Sequence, residues 1–451
     1  MASFWRKVGA GALGALLAAS AGSAQDNAVS PVFGTQVRSA LVADSRNTFF
    51  DGAAEVGADD ESLSDDDVEQ AAWLQQPGRA PSLATNQPTV RRAATASRLA
   101  STSLASVPNM FGDCGMTTAN VTIINPVGNI TSGEFMLPMV GGSRTAKMAE
   151  NDIAMPVDRI FFGYNHYTDI FQMREQQAFP PGAPGLFRQE PIDRYTMGVE
   201  KTFFDAWTSL ELRMPFNGSF NATLPSLGVA NGSVGNLAVI LKGLLYRGEN
   251  LGIGAGMGID TPTGSDTVAR LGTTNLRFQN QATHLLPYLG FLYAPGDPQW
   301  GWGNGLFMTG FLQVDVAANG NTIQFVDPIT AARTPLGRFN EQNLLFVDLA
   351  VGYWLYRDSF APRWTGLAVV GEVHYTTSLQ DTDLVAGAIG GTGAVITNPS
   401  NRFDVCNGTI GVQALMFDAS SLRVAGVFPM GSRPDQRFFD AELQVQFNRR
   451  F

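Results

Sequence analysis

Over Phe438–Phe451, the residues Phe439, Ala441, Leu443, Val445, Phe447 and Phe451 alternate with Asp440, Glu442, Gln444, Gln446, Asn448 and Arg450, with Arg449 the one break in the apolar set. Period two sends successive side chains to opposite faces of a strand, so one face is apolar and the other polar. The alternation recurs in Arg159–Tyr167, Arg194–Phe203, Ser209–Phe216, Leu237–Tyr246, Leu251–Asp260, Leu285–Tyr293, Leu306–Val316, Leu345–Tyr356, Leu367–Tyr375, Phe403–Met416 and Leu422–Phe428. Most have roughly the nine to eleven residues that a tilted strand needs to cross a bilayer, and an even number lets both ends lie on one side. The predicted fold class is all-β: an antiparallel transmembrane β-barrel of about 12 strands over residues 158–451.

The connections separate a barrel from a sandwich. Short ones near 205–208, 247–250, 294–305, 357–366 and 418–421 alternate with long polar ones at 169–193, 217–236, 261–283, 317–342 and 377–402. Short turns on one side and long loops on the other are the asymmetry of an outer-membrane barrel. Trp207, Trp300, Trp302, Trp354 and Trp364 sit in or beside short turns, which predicts a membrane girdle on that rim, because an amphipathic ring is most stable at headgroup level.

A strand ending on an aromatic of its apolar face resembles the C-terminal targeting strand of bacterial outer-membrane barrels, here carried by Val445, Phe447 and Phe451. The segments Gly141–Arg144, Lys147–Asn151 and Asp158–Asn165 are similar to uncharacterised barrels of that class. The resemblance implies an outer-membrane location with both termini periplasmic, lipid around the barrel, and insertion by the barrel-assembly machinery. An N-terminal hatch also resembles the plugged fatty-acid and aromatic-hydrocarbon channels, although those commonly have fourteen strands and share only Asn125-Pro126 of their hatch pattern.

Ahead of the barrel, Arg6 and Lys7, an apolar run and Ala21–Ala24 read as a signal peptide over residues 1–24. Residues 25–107 lack either period and read as a disordered acidic, Ala/Ser-rich linker, with nine acids and no Lys or Arg between Asp51 and Gln70. Residues 108–157 carry Phe111, Met116, Ile123, Ile124, Phe135, Met136 and Met139 among Gly and Asn, and read as a plug-like segment or as an added hairpin from 120–124 and 133–140.

Composition narrows the chemistry. Only 16% of the 451 residues are charged, 44% are hydrophobic, and the net charge is −10 with no basic patch, so nucleic acid is not an expected partner. Cys114 and Cys406 are expected as free thiols. Three histidines, His166, His284 and His374, lack metal-ligand spacing, and no phosphate loop or nucleophile elbow appears, so no cofactor, metal or catalytic set is expected.

Turning the apolar parity outward leaves Glu200, Glu211, Arg213, Lys242, Asp260, Asp315, Asp348, Glu372, His374, Asp404, Arg423, Asp440, Glu442 and Arg450 as pore-lining candidates, read either as a solvated path or as a charge ladder pairing across the lumen. An open path would be weakly cation-preferring, because acids outnumber bases. Gly252, Gly254, Gly256 and Gly258 share one face, where the plug packs or the strand bends. The leading function is passage of small solutes, hydrophobic ones among them. The alternatives are a non-conducting structural or adhesive barrel, and an outer-membrane lipid hydrolase using His166 or His374.

Overall fold

The computed structural model describes Leu104 and residues 107–113, 119–124, 130–136 and 146–451, apart from 177–185, 219–220, 224–226, 232–233, 272, 297–304, 359, 382, 390, 398–401, 418 and 432–435. The chain divides into two units, Met1–Asn86 and Gln87–Phe451, and every described residue belongs to the second. The signal peptide and nearly all of the linker lie outside the described residues.

The described elements are strands. A hairpin, β1 (Ala119–Ile124) and β2 (Ile130–Met136), precedes two long strands, β3 (Arg159–Gln176) and β4 (Leu186–Phe203). There follow β5 (Thr208–Asn217), β6 (Asn221–Thr223), β7 (Leu227–Asn231), β8 (Leu237–Arg247), β9 (Leu251–Thr261), β10 (Thr267–Leu271), β11 (Thr274–Phe278) and β12 (His284–Tyr293). Next are β13 (Leu306–Ala317), β14 (Asn321–Val326), β15 (Arg333–Phe339), β16 (Leu344–Arg357), β17 (Trp364–Ser378), β18 (Val385–Ile389) and β19 (Thr392–Thr397). The chain ends with β20 (Asp404–Met416), β21 (Ser420–Pro429) and β22 (Ala441–Arg450).

Twelve of these close into an antiparallel barrel in the order β3-β4-β5-β8-β9-β12-β13-β16-β17-β20-β21-β22, and β22 pairs back onto β3 with Ala441 opposite Thr168 and Arg450 opposite Arg159. Each overlaps one of the alternating segments of the sequence, β20 and β22 being shorter than the segments that begin at Phe403 and Phe438. Closure leaves no edge with unpaired N–H and C=O groups, which hydrocarbon cannot solvate. The outward parity is apolar and bare: Met197, Leu241, Leu245, Leu312, Val351, Ile410 and Leu443 are all exposed. An apolar belt around a whole molecule far exceeds the few hundred Å² that a water-soluble monomer shows, so lipid covers it.

At the short-turn rim, Trp207 and Trp364 are exposed beside Tyr246, Tyr293 and Tyr356, and the Arg247 guanidinium lies 5.3 Å from the Trp207 ring centre. Trp300 and Trp302 lie outside the described residues. Trp354 departs from the expected girdle: it points inward, 5% exposed, with its ring 6.1 Å from that of Phe307. Its position in the alternation is an inward one, so its ring helps fill the lumen beneath the rim.

The long connections are folded rather than open. β6–β7, β10–β11 and β14–β15 pair into a second sheet in the order β15-β14-β11-β10-β7-β6, while β18–β19 joins β1, β2 and the upper end of β3. Together these strands continue the barrel outward as a second storey. Its interior is apolar, built from Tyr167, Ile192, Val229, Leu276, Phe278, Phe325, Phe339, Phe346, Ile396 and Phe439. Phe439 thereby leaves the outward set that the C-terminal alternation suggested, because it lies before β22 begins.

Asparagines tie the hairpins at their bases. Asn321 Oδ1 accepts from the N–H groups of Gln281 and Ala282 at 2.9 and 2.8 Å, Asn319 Oδ1 from Thr283 N at 2.8 Å, and Asn236 Oδ1 from Gly264 N at 2.9 Å. An amide side chain suits this because it accepts and donates at once, satisfying loop backbone that no ladder reaches.

Candidate functional site

The lumen is occupied by the chain itself. Residues 107–113 run from the short-turn end toward the long loops, β1 and β2 emerge into the outer storey, and residues 146–157 return to the short-turn end, where β3 starts. The sequence left plug and hairpin as alternatives; this segment is both. Leu104 and Val107, at 1% exposure each, are already inside, so the packed part starts earlier than the expected linker boundary at 107.

The two passes touch: Met110 N donates to Asp152 O at 2.7 Å and Asn151 N to Phe111 O at 3.2 Å. Gly112 takes φ +80°, and a Cβ there would sit 2.5 Å from Glu150 Cα, so glycine is required for the passes to approach.

With little secondary structure of its own, the plug finds partners for its backbone on the wall. Glu372 accepts from Phe111 N at 2.7 Å and Gly112 N at 2.9 Å. Gln444 and Gln446 donate to Gly112 O and Phe111 O at 3.0 Å each, Arg213 donates to Lys147 O at 3.0 Å, Gln313 accepts from Met148 N at 2.7 Å, and Arg423 donates to Met110 O at 3.2 Å. The polar inner face is thus a lining for buried backbone, which would otherwise be unsatisfied.

Other inward positions, some on the same strands, are apolar. Ile240, Leu244, Leu286, Leu292, Phe307, Phe311 and Val370 point inward and pack against Leu104, Val107, Met110, Met148, Ile153 and Met155. An outward-only apolar parity fails on these strands because the plug, not water, fills the barrel.

Two charged clasps hold the plug. Toward the short turns, Asp152 sits among Arg159, Arg213 and Lys242, and these three cations also meet wall carboxylates. Arg159 reaches Glu200 at 2.8 Å and Glu211 at 2.7 Å; Lys242 is 2.9 Å from both Glu200 and Glu211; Arg213 is 2.6 Å from Glu211. Three acids therefore face three bases.

Toward the long loops, Lys147 pairs with Asp113 and, at 2.7 Å, with Asp348. His374 Nδ1 lies 2.8 Å from Asp348, its Nε2 is 3.0 Å from Glu372 but off the hydrogen-bond line, and Asn407 donates to Asp113 at 2.7 Å. Two carboxylate groups, Asp113/Asp348/His374 and Asp152/Glu200/Glu211, are close enough to share an ion, but each already encloses a lysine.

Of the residues singled out from sequence, Glu200, Glu211, Arg213, Lys242, Asp348, Glu372, His374 and Arg423 gather in this network, and Asp260, Asp315 and Glu442 are buried in the lumen beside it. Asp315 is 2.6 Å from His284 Nδ1, and Glu442 accepts from Asn165 at 2.7 Å and Gln444 at 2.8 Å. Two placements are corrected. Asp404 faces outward, where Tyr375 donates to it at 2.7 Å, because Val405, Asn407 and Thr409 take the inward parity of β20. Asp440 precedes β22 and pairs with Arg437 at 3.0 Å, partly exposed.

The residues missed were Asp113, Lys147 and Asp152, since no periodicity marks a plug, and Arg159 and Arg194, which take inward positions at strand segments the alternation had already marked. A cavity of about 70 Å³, large enough for water, lies at the short-turn end, lined by Asn109, Arg159, Gln413, Asn448 and Arg450 among others.

The glycine face of β9 receives the plug. A Cβ at 254 would lie 2.2 Å from Ala154 O, one at 252 would lie 3.1 Å from Met155 Sδ, and one at 258 would lie 3.3 Å from Met148 Cε. Gly256 differs, meeting Leu241 O and the Tyr288 ring. Gly254→Val is expected to displace the returning pass while leaving the barrel closed. Limited proteolysis would then cut within 146–157 at least tenfold faster than in the parent protein, and unchanged protection would show that the plug does not depend on this contact.

His166 lies on the outer surface with Nδ1 2.8 Å from Asp193, which also accepts from the Tyr164 hydroxyl at 2.8 Å. The neighbouring hydroxyl of Thr168 is turned to Ala441 O at 3.1 Å, and His374 is enclosed by the plug, 3.7 Å from Asp113. Cys406 is a free, half-buried thiol with Sγ 3.9 Å from Met430 Sδ, and Cys114 lies outside the described residues.

No family model and no curated protein matches the chain. Among solved structures it is similar to an outer-membrane channel from Pseudomonas putida F1, at 12% identity and TM-score 0.40 over 66% of this chain and 96% of that one. It is also similar to the toluene transporter TodX of Pseudomonas putida, at 9% identity and TM-score 0.33 over 65% and 87%, and to the NanC porin, at 9% identity and TM-score 0.33 over 65% and 98%. The likeness is one of barrel form, and strand count, closure and plug rest on this chain's own ladders.

Proposed function

We propose that the protein is an outer-membrane barrel, with short turns and chain ends toward the periplasm, that admits small apolar solutes and is closed to ions by its threaded hairpin. The observation that carries this is the apolar interior of the outer storey, above a lumen whose two clasps pair their charges with one another and with the plug. A solute hiding about 150 Å² of apolar surface there gains roughly 4 kcal/mol over water, whereas an ion would lose hydration with no free counter-charge to replace it. Outward Val445 and Phe447 on the strand that closes the barrel, and exposed Phe451 just past it, support its reading by the assembly machinery.

The test is uptake of N-phenylnaphthylamine by intact bacteria, whose polar outer leaflet slows apolar entry. Cells carrying the protein should take up the probe several-fold faster than cells without it, with no change for a charged solute of similar size. Equal rates would favour a structural or adhesive barrel instead.

A further inference from the structure

The outer storey is assembled from two sheets, and their meeting differs from every ladder within them. β15 ends one sheet and β18 ends the other, and among the described residues no backbone ladder joins the two. They meet through side chains set against glycines. A Cβ at 337 would lie 2.5 Å from Val385 Cγ1, and a Cβ at 387 would lie 2.4 Å from Leu336 Cδ1, so a larger residue at either glycine would wedge the sheets apart. At the base the junction is crossed by Asn340, whose N and Nδ2 reach Asp383 Oδ2 at 3.2 and 2.7 Å. At the second sheet's other end, Gly218 N donates to Asp193 O of β4 at 2.7 Å just ahead of β6, a backbone tie not seen between β15 and β18 among the described residues.

The seam is continuous with the apolar interior. Val385 belongs to that interior, and Leu336 and Ile389, both half-buried, pack directly against it. Parting two strands of a ladder breaks a row of backbone hydrogen bonds, each leaving a donor and an acceptor without a partner; parting β15 from β18 above the Asn340–Asp383 tie separates apolar side chains, which an apolar solute itself re-covers. The threaded hairpin cannot supply such an opening easily, because β1 is laced to β19 and β2 to β3.

We propose that the seam between β15 and β18 is the port through which small uncharged apolar solutes enter the outer storey. It rests on the apolar-solute reading above and adds the route.

Geometry supplies the test. A Cβ at 337 would lie 3.8 Å from Val385 Cβ, within the span of a disulfide, and Gly337 does not have the positive φ that would strain a cysteine. Cells carrying Gly337→Cys/Val385→Cys are assayed for N-phenylnaphthylamine uptake after oxidation and again after reduction. Each single variant and the parent are assayed in parallel, and retention of the compact barrel is checked on unheated gels. Oxidation is expected to cut the protein-dependent rate at least tenfold in the double variant alone, with reduction restoring it. If the parent accelerates uptake and the oxidised double variant does so equally, the port is wrong and the function stands. If the parent gives no acceleration, the function falls and the port falls with it.

Discussion

Deleting residues 108–157 is expected to turn a barrel silent in planar bilayers into one that conducts in discrete steps. In the intact protein both passes of the plug are buried, and Gln444, Gln446, Glu372, Arg213 and Gln313 are engaged with its backbone. Removing it returns those groups to water and takes away β1 and β2, which fill the outer storey between β19 and β3. The exposed wall would carry Glu200, Glu211, Asp260, Asp315, Asp348, Glu372 and Glu442 against Arg159, Arg194, Arg213, Lys242 and Arg423. Acids outnumber fixed cations, so the reversal potential should indicate weak cation preference.

Because β1 and β2 also knit the cap, the deleted form needs proof of folding by its shift on heating in gels. Asp113→Asn/Asp152→Asn, which loosens both clasps in the full-length chain, provides a second reading as brief, infrequent openings. Silence from a folded deletion variant would overturn the view that the hairpin is what closes the lumen.

Replacing Lys242 with methionine should cost about 3–5 kcal/mol, the range for breaking a buried ion pair from one side. Lys242 is fully buried and within ion-pair distance of Asp152, Glu200 and Glu211, so its loss leaves three carboxylates against Arg159 and Arg213. The matched change matters as much. Adding Glu200→Gln removes one negative charge with the positive one and should recover a large part of the loss, since a balanced network no longer holds an unpaired ion. Urea unfolding in lipid vesicles reads both; a loss below about 1 kcal/mol for Lys242→Met would mean that water reaches the network and screens it.

The sequence by itself determined the barrel. Alternation in the twelve strand segments follows from a rule that lipid imposes residue by residue, apolar outward and backbone paired sideways, and the sorting of short and long connections marks the barrel's two rims. It determined too that Glu200, Glu211, Arg213 and Lys242 would turn inward, because parity is a local property of a strand. Asp404 and Asp440 show where that reading stops, since one position decides the face and strand ends do not declare themselves in a sequence.

Only the tertiary structure decided what the inward groups do. Their partners Asp113, Lys147 and Asp152 lie in a segment without period, and contacts such as Gln446 to Phe111 O or Arg423 to Met110 O join residues more than three hundred positions apart. The cap was hidden for a related reason. β7, β10, β11, β14, β18 and β19 are strands of five or six residues, each too short to stand out from a polar loop, and they gain an apolar core only when hairpins from separate loops are brought side by side. Burial shared between distant short segments leaves no periodic trace in any one of them, which is why the barrel wall was legible and its contents were not.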